Sequence, residues 1–275
     1  MDFVLSNSPA RIVGMTRSVA WAALHAGHAL LEESSHFHRG QWFMRLQNPD
    51  AELPSDPFIY GHTGTVAATH AGNCPRATNG PAWRVAWDPQ SFDAVHWSNT
   101  YGDAMWNHKS VRFMTLGEAL QAWPEDGWHM RPCGEDSGPK AFKGFFTKKE
   151  TLFQAWLHSA SGKEKDPNMR VAVSGPRLPH QEYRLAFMRG KCIDASLYLT
   201  DGRLTLSRGA PARVLEFATS VARNQPLPST HCAVDVGVDY LGAMGIIEFN
   251  SLHSSGLYAI DRAVLVAGID RTWAS

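Results

Sequence analysis

The stretch from Glu182 to Leu199 leaves the chain little conformational choice. Glu182 to Met188 is an apolar run of strand length, Arg189-Gly190-Lys191 is a turn too short for a crossover, and Cys192 to Leu199 is a second strand. The two strands must lie side by side and antiparallel. A second pair, Cys232 to Val238 and Gly245 to Asn250, is joined through the turn Leu241-Gly242-Ala243. Trp128 to Pro132, Ala141 to Phe146 and Arg170 to Ser174 read as further short strands. Ala212 to Ala222 and Leu257 to Ala267 have helical spacing, and Thr147-Lys148-Lys149-Glu150 is a capping box that opens a helix to about Ser159. Hairpins interleaved with helices predict an α+β second half.

The first half reads differently. Arg17 to Ser34, with Val19, Ala22, Ala23, Ala26, Leu30 and Leu31, carries a helical apolar stripe, whereas five prolines between Gln47 and Ala82 favour turns and extended segments. Thr115 to Ala122 is a second helix, with Thr115 as cap and Glu118 three residues on. The change of texture near Trp123 to Gly127 divides the chain into residues 1–122 and 123–275. Among the 275 residues, 26 Lys+Arg balance 26 Asp+Glu, which argues against a dedicated nucleic-acid binder. Four scattered cysteines without a CxxC pair read as reduced thiols. The N-terminus lacks the form of a secretory signal, and His25 and His28 interrupt the apolar run Val19 to Leu31, so a cytoplasmic protein without a membrane span is expected. Its size suits a monomer or homodimer.

Three constellations could carry chemistry. Asp235 lies on one strand of the last hairpin and Glu248 and Asn250 on the other; two-residue spacing puts the latter pair on one face. These are hard oxygen ligands suited to magnesium, or else a solvated strand face. The loop from Arg131 to Lys143 places Arg131, Lys140 and Lys143 around Gly134 and Gly138, which suits phosphate but equally a plain hairpin with basic edges. Glu182 and Arg184 share a strand face, as do Ser196 and Tyr198 on the neighbouring strand, forming an anion site or a polar cross-strand ladder. His36-Phe37-His38 has no partner spaced to complete a metal site, the 10 tryptophans suit core packing better than a stacking platform, and Cys133 lacks a histidine that would make it a nucleophile.

The order Arg131-Pro132, Lys140-Ala141-Phe142-Lys143-Gly144, Glu182-Tyr183-Arg184, Ser196-Leu197-Tyr198, Asp235, Glu248-Phe249-Asn250, Ser255-Gly256-Leu257-Tyr258 resembles the ATP-grasp superfamily, and within it the clade named for two arginines and one lysine. The resemblance covers roughly Trp128 to Asp261 and implies an α+β ATP-grasp fold: two α+β subdomains clamp the nucleotide, preceded by an N-terminal α/β subdomain that shapes the acceptor site. It implies ATP and Mg2+ as cofactors and a carboxylate–amine ligase that works through an acylphosphate, releasing ADP and phosphate. Small-molecule carboxylate and amine substrates, an amino acid, a peptide or a protein are the expected partners. By the same resemblance Arg131, Lys140, Lys143 and Arg184 face phosphate, with Lys140 and Arg184 catalytic. Val173, Ser174 and Gly175 face the adenine, Glu182 binds ribose or orients Arg184, and Asp235, Glu248 and Asn250 hold the metal. Ser255, Gly256 and Tyr258 form a substrate loop. Where many ATP-grasp proteins carry a lysine on the strand entering the adenine hinge, this chain has Arg170. A catalytically silent nucleotide-binding module and a kinase acting on a small-molecule hydroxyl would share the nucleotide residues.

Overall fold

The structure, a computed structural model, describes residues 3–6, 30–38, 41–46, 58–60, 88, 90–134, 145–147, 166–175 and 177–273. The first sheet comprises β1 (Phe3–Ser6), β2 (Leu30–His38), β3 (Gln41–Leu46) and β4 (Phe58–Tyr60), in the order β3-β2-β1-β4. β1 runs parallel to β2 and β4, while β3 returns antiparallel to β2. The helix expected to run to Ser34 is corrected here: Leu30 to Glu33 pair with Phe3 to Ser6 as a parallel ladder, and sheet hydrogen bonding overrides the helical spacing of that end. Its earlier part, residues 17–29, lies outside the described residues.

Helix α1 (Ala94–Tyr101) is capped by Asp93, whose Oδ1 accepts from Val95 N at 2.8 Å, and a single 3-10 turn (Gly102–Ala104) follows it. The second sheet holds β5 (Arg112–Thr115), β6 (Trp128–Pro132), β7 (Phe145–Thr147) and β8 (Arg170–Ser174) in the antiparallel order β5-β8-β6-β7. Between β5 and β6 sits α2 (Leu116–Gln121), which begins at the expected capping box: Glu118 N donates to Thr115 Oγ1 at 3.2 Å and Thr115 N to Glu118 Oε2 at 2.7 Å. Leu116 and Ala119 bury against Trp128, Met130, Val171 and Val173. The boundary expected at residues 122/123 therefore runs through this sheet, since β5 lies before it and β6 to β8 after it.

The third sheet is wholly antiparallel in the order β11-β10-β9-β12-β13: β9 (Gln181–Met188), β10 (Lys191–Thr200), β11 (Arg203–Arg208), β12 (His231–Val238) and β13 (Met244–Ser251). Positive φ at both Arg189 (49°) and Gly190 (73°) makes the two-residue turn that the right-handed twist of a hairpin favours. One face packs on α3 (Ala212–Asn224) and on Trp97 and Tyr101 of α1, around Leu185, Phe187, Val234, Ile246 and Phe249. Phe249 sits 5.7 Å from Trp97 and 4.5 Å from Tyr101, ring to ring. The terminal helix, expected from Leu257, begins later as α4 (Arg262–Trp273). Tyr258 holds φ at 50°, outside the helical region, and Asp261 Oδ1 supplies the cap by accepting from Ala263 N and Val264 N. No helix among the described residues is long and apolar enough to cross a membrane.

Trp106 ties the segment after the 3-10 turn to the third sheet. Its N donates to Ile246 O at 2.7 Å, its Nε1 donates to Arg177 O at 2.5 Å, and Arg177 Nη1 returns a bond to Trp106 O at 2.7 Å while its guanidinium stacks 4.1 Å from the indole. Gly245 makes this approach possible, because a Cβ there would stand 2.8 Å from Trp106 Cα, a backbone atom that cannot swing aside. Gly245→Ala is therefore expected to lower stability by about 1–3 kcal/mol in chemical denaturation.

A second prediction concerns pH. Burial and the nearby Arg189 push the His231 imidazole down to about 4. The unfolded chain, with a histidine near 6.5, takes up this proton first, so the contribution is complete above roughly pH 6.5 and is lost as pH falls toward about 4, by at most about 3 kcal/mol. His231→Gln should flatten the corresponding slope of unfolding free energy against pH.

Candidate active site

The register of the third sheet sets one row of side chains across all five strands. Arg208 on β11 is opposite Ser196 on β10, Ser196 is opposite Arg184 on β9, Arg184 is opposite Asp235 on β12, and Asp235 is opposite Glu248 on β13. A bulge makes the last member possible. Asp235 pairs with Glu248 but Val236 pairs with Ile246, so β13 carries one extra residue at Ile247. Without it, Ile246 and Glu248 would share a face; with it, Ile246 enters the core while Glu248 and Asn250 stand on the opposite face.

Arg184 and Asp235 form the centre of the row. Arg184 Nε and Nη2 donate to Asp235 Oδ1 and Oδ2 at 2.7 and 2.6 Å, with side-chain exposures of 8% and 1%. Nη1 donates to Gly256 O at 2.9 Å, and Nη2 lies 3.7 Å from Glu248 Oε1. Burial opposes the charge on Arg184, but Asp235 more than reverses this and holds the guanidinium above its ordinary value. Burial also pushes the Asp235 carboxyl up, to about 6, against the pull of Arg184. The guanidinium lies over two parallel rings, 5.8 Å from Tyr198 and 5.0 Å from Tyr258, which stack 4.5 Å apart. Tyr198 donates its hydroxyl to Glu182 Oε2 at 2.5 Å, and burial raises the Glu182 carboxyl above its usual range.

Arg131 reaches this row from the second sheet. Its Nη2 donates to Glu248 Oε2 at 3.2 Å, and Asn250 Nδ2 donates to Glu248 Oε1 at 2.7 Å. The Arg131 guanidinium also lies 5.3 Å from the Trp97 ring. Val173 and Ser174 are buried at the end of β8 and pair with Met130 and His129 of β6, the strand that carries Arg131; Gly175 follows with open space beside it. The loop after β6 is tied to α1 by Gly134 N, which donates to Asp93 Oδ2 at 2.7 Å. Lys140 and Lys143 lie outside the described residues.

The segment after β13 is pinned over the site. Ser255 Oγ donates to Ser251 O at 2.6 Å, Ala259 N donates to Ser196 Oγ at 3.1 Å, and Asp261 N donates to Asp194 Oδ2 at 2.8 Å. Of the residues expected at the site, Arg131, Glu182, Arg184, Asp235, Glu248, Asn250, Gly256 and Tyr258 form one connected group, with Ser255 on the same loop. Two neighbours were not foreseen. Trp97 is the aromatic shelf under Arg131, and His129 shares the Arg131 side of β6, its imidazole pushed down to about 4 by burial and by Arg131. The signal for His129 was present, because polar His129 and Arg131 alternate with buried Trp128 and Met130.

A family model described as the ATP-grasp domain, family 2 of the clade named for two arginines and one lysine, matches residues 106–267, more than half of the chain. The chain belongs to this ATP-grasp family. Its match begins at Trp106, the residue clasped to Arg177 and β13. Solved ATP-grasp relatives in fold include D-alanyl-alanine synthetase A from Vibrio cholerae O1, at 12% identity over 99% of this chain and 98% of that chain with a TM-score of 0.57. D-cycloserine synthetase DcsG matches at 12% identity over 98% and 99% with a TM-score of 0.58. The ATP-grasp ligase PsnB, complexed with a phosphomimetic variant of minimal precursor, Mg and ADP, matches at 13% identity over 98% of each chain with a TM-score of 0.55. At these identities the likeness concerns the fold. No curated protein sequence matches significantly.

The donor set on β13 fits magnesium. Glu248 and Asn250 offer a carboxylate and an amide oxygen on one face, and the Glu248 side chain is 30% exposed, as an ion that keeps water and phosphate oxygens requires. Among the described residues no trio of His, Cys, Asp and Glu gathers in metal-binding geometry. Both Asp235 oxygens accept from Arg184, and the two Glu248 oxygens accept from Arg131 and Asn250, so a metal ion would compete with those bonds at either carboxylate.

Removing one partner of the buried pair leaves an uncompensated charge. Arg184→Ala is expected to cost about 3–5 kcal/mol of stability, and the double variant Arg184→Met with Asp235→Leu should recover most of it. Urea denaturation of the single and double variants checks this.

Proposed function

We propose that the chain is an ATP- and magnesium-dependent ligase that joins a carboxylate to an amine through an acylphosphate, with release of ADP and phosphate. The observation that carries this reading is the convergence on Glu248 of two arginines from different sheets, Arg131 from β6 and Arg184 from β9. A transferring phosphoryl group is stabilised by cations and by a metal held on hard oxygen ligands, and two arginines beside Glu248 and Asn250 support that reading.

In this reading Glu248 and Asn250 hold the ion, with Asp235 behind them as partner of Arg184 or as a third ligand. Magnesium bound there supplies neutralisation of charge at the transferring phosphoryl group. Arg131 neutralises phosphate oxygens from the second sheet, joined in this reading by Lys140 and Lys143, which follow it in sequence. Its pair with Glu248 is partly buried, 14% and 30% exposed, so exchanging that carboxylate for phosphate costs less than it would at the buried Arg184–Asp235 pair. Arg184 has three of its five donors engaged by Asp235 and Gly256, and it stabilises the acylphosphate with what remains while holding the 255–258 loop in place. Backbone at Val173, Ser174 and Gly175 faces the adenine. Glu182 is bonded to Tyr198 rather than to Arg184, which favours the ribose role. Ser255, Gly256 and Tyr258 position the substrate.

The N-terminal region shapes the acceptor side, while Trp106 and β5, which pack into the later sheets, belong with the catalytic unit. The three described cysteines, Cys133, Cys192 and Cys232, are free thiols, in keeping with the cytoplasmic placement proposed here. Small carboxylates and amines, amino acids, peptides or a protein are the candidate substrates, in a monomer or homodimer.

The deciding experiment measures ADP and phosphate release with ATP and magnesium across pools of amino acids and small carboxylates, with mass spectrometry of the products. A condensation product establishes the ligase, and Glu248→Gln should abolish its formation with the fold intact by circular dichroism. ADP with a phosphorylated acceptor and no free phosphate would replace the ligase with a kinase. Tight nucleotide binding without any turnover would favour a silent nucleotide-binding module.

A further inference from the structure

The sheet that carries the site has a gap along one edge. β11 pairs with β10 only from Ser196 to Thr200, and at Gly209 the chain leaves the sheet after one last bond, Gly209 N to Ala195 O at 2.7 Å. Lys191 to Ala195 continue the β10 edge, with a bulge between Cys192 and Asp194, and no strand lies beyond them among the described residues. Alongside this edge runs α3, and between the two lies a groove of about 780 Å³. Helix α3 contributes Leu215, Thr219, Ala222 and Arg223, at i, i+4, i+7 and i+8, which is one continuous helical stripe.

The chemistry of the groove is divided. Its floor is apolar: Cys192, Leu215 and Ala222 are half-buried and pack against the core beneath the sheet. Its rim is cationic, with Arg189, Lys191 and Arg223 all exposed, and among the described residues none of the three is ion-paired. The one carboxylate in the lining, Asp194, is already neutralised by Arg208 Nε at 3.3 Å and accepts from Asp261 N. An open strand edge beside a helix, an apolar floor and a ring of unpaired cations match a single kind of occupant. Backbone ladder bonds take up an extended chain, alternate apolar side chains fill the floor, and acidic ones meet the rim.

We propose that this groove binds an extended acidic peptide segment of a partner or substrate protein by strand addition to β10 at Lys191–Ala195. The occupant is an extended segment because the edge offers a ladder rather than a closed pocket. It is acidic because three unpaired cations and no unpaired carboxylate face it. The site lies on the α3 side of the sheet, opposite the Arg184 row, and it does not depend on the ligase reading.

The test uses the full chain and a fluorescein-labelled peptide of alternating valine and glutamate. Anisotropy should show saturable binding with Kd on the order of 10 to 100 μM, weakening as salt is raised. The Lys191→Glu, Arg223→Glu double variant, altered only at exposed positions and checked by an unchanged melting temperature, should bind it at least about tenfold more weakly and should instead bind the valine–lysine peptide. Methylating the backbone nitrogens of the peptide should cause a similar loss, and bound peptide should slow amide exchange at residues 192–195. No saturation up to about 1 mM, equal affinity for the valine–lysine peptide, or indifference to either the charge reversal or the methylation would overturn the proposal. Tighter binding of a single-stranded oligonucleotide, sensitive to the same two substitutions, would overturn it in favour of nucleic acid.

Discussion

The pair of charges between Arg184 and Asp235 is the contact on which the rest of the site depends. Two ions removed from water are tolerable only when each meets the other in full, and here two hydrogen bonds of 2.7 and 2.6 Å do so with almost no solvent access. A slip of one residue between β9 and β12 would turn Asp235 toward Leu185 and Phe187 and leave both charges without partners. The pair therefore selects the register. The register in turn sets Glu248 opposite Asp235 and Ser196 opposite Arg184. A contact of doubtful net worth to stability thus acts as the specification for everything beside it.

Most of the described architecture from Thr115 onward was legible because its determinants are local. The hairpin at Arg189-Gly190, the Thr115–Glu118 capping box and the alternation of β6 each follow from residues a few positions apart. The failures share the opposite property. Leu30 to Glu33 become strand because β1 lies beside them, a partner distant in sequence. β11, with all six residues exposed, has no buried face to print a period on the sequence. The late start of α4 depends on Tyr258 adopting φ of 50° over the Arg184 guanidinium, a tertiary constraint. The site was legible as a set of residue types but not as a geometry. Strict alternation places Ile246 and Glu248 together, and only the bulge at Ile247 separates core from chemistry.

The two arginines that meet at Glu248 differ in a way that bears on how such a site works. Arg184 is firmly held: its partner is buried, its guanidinium lies against two stacked rings and its third donor holds Gly256. Arg131 is held less tightly: its pair is longer, at 3.2 Å, and solvent reaches both ends. The Arg131 pair keeps some solvent access, so on the proposed reading a bound anion takes over Arg131 at less cost than at Arg184, where the same exchange would dismantle the register. Trp106 and Arg177 add a second fixed point, joining the segment after β8 to the strand that carries Glu248. On the proposed reading, the adenine-facing backbone at Val173 to Gly175 and the ligand strand β13 are held in relation to each other by this clasp, and the adjustable element is the one cation that must follow the phosphates.

β10 then has two duties on its two ends. In its C-terminal half, Ser196 anchors the loop over the site by accepting from Ala259 N, and Tyr198 stacks on Tyr258. Lys191 to Ala195, at its N-terminal half, present an edge and a groove on the other side of the sheet. Peptide binding there would use contacts remote from the reacting atoms, and remote contacts can hold an acceptor near a site without crowding the groups that perform the chemistry. The same rigid strand that fixes Arg184 through the β9 register would then fix where a tethered segment begins. The length of chain between the groove and the 255–258 loop would decide which residue of a bound peptide can reach Arg184, so selection could rest on spacing along the partner as much as on the identity of the residue modified.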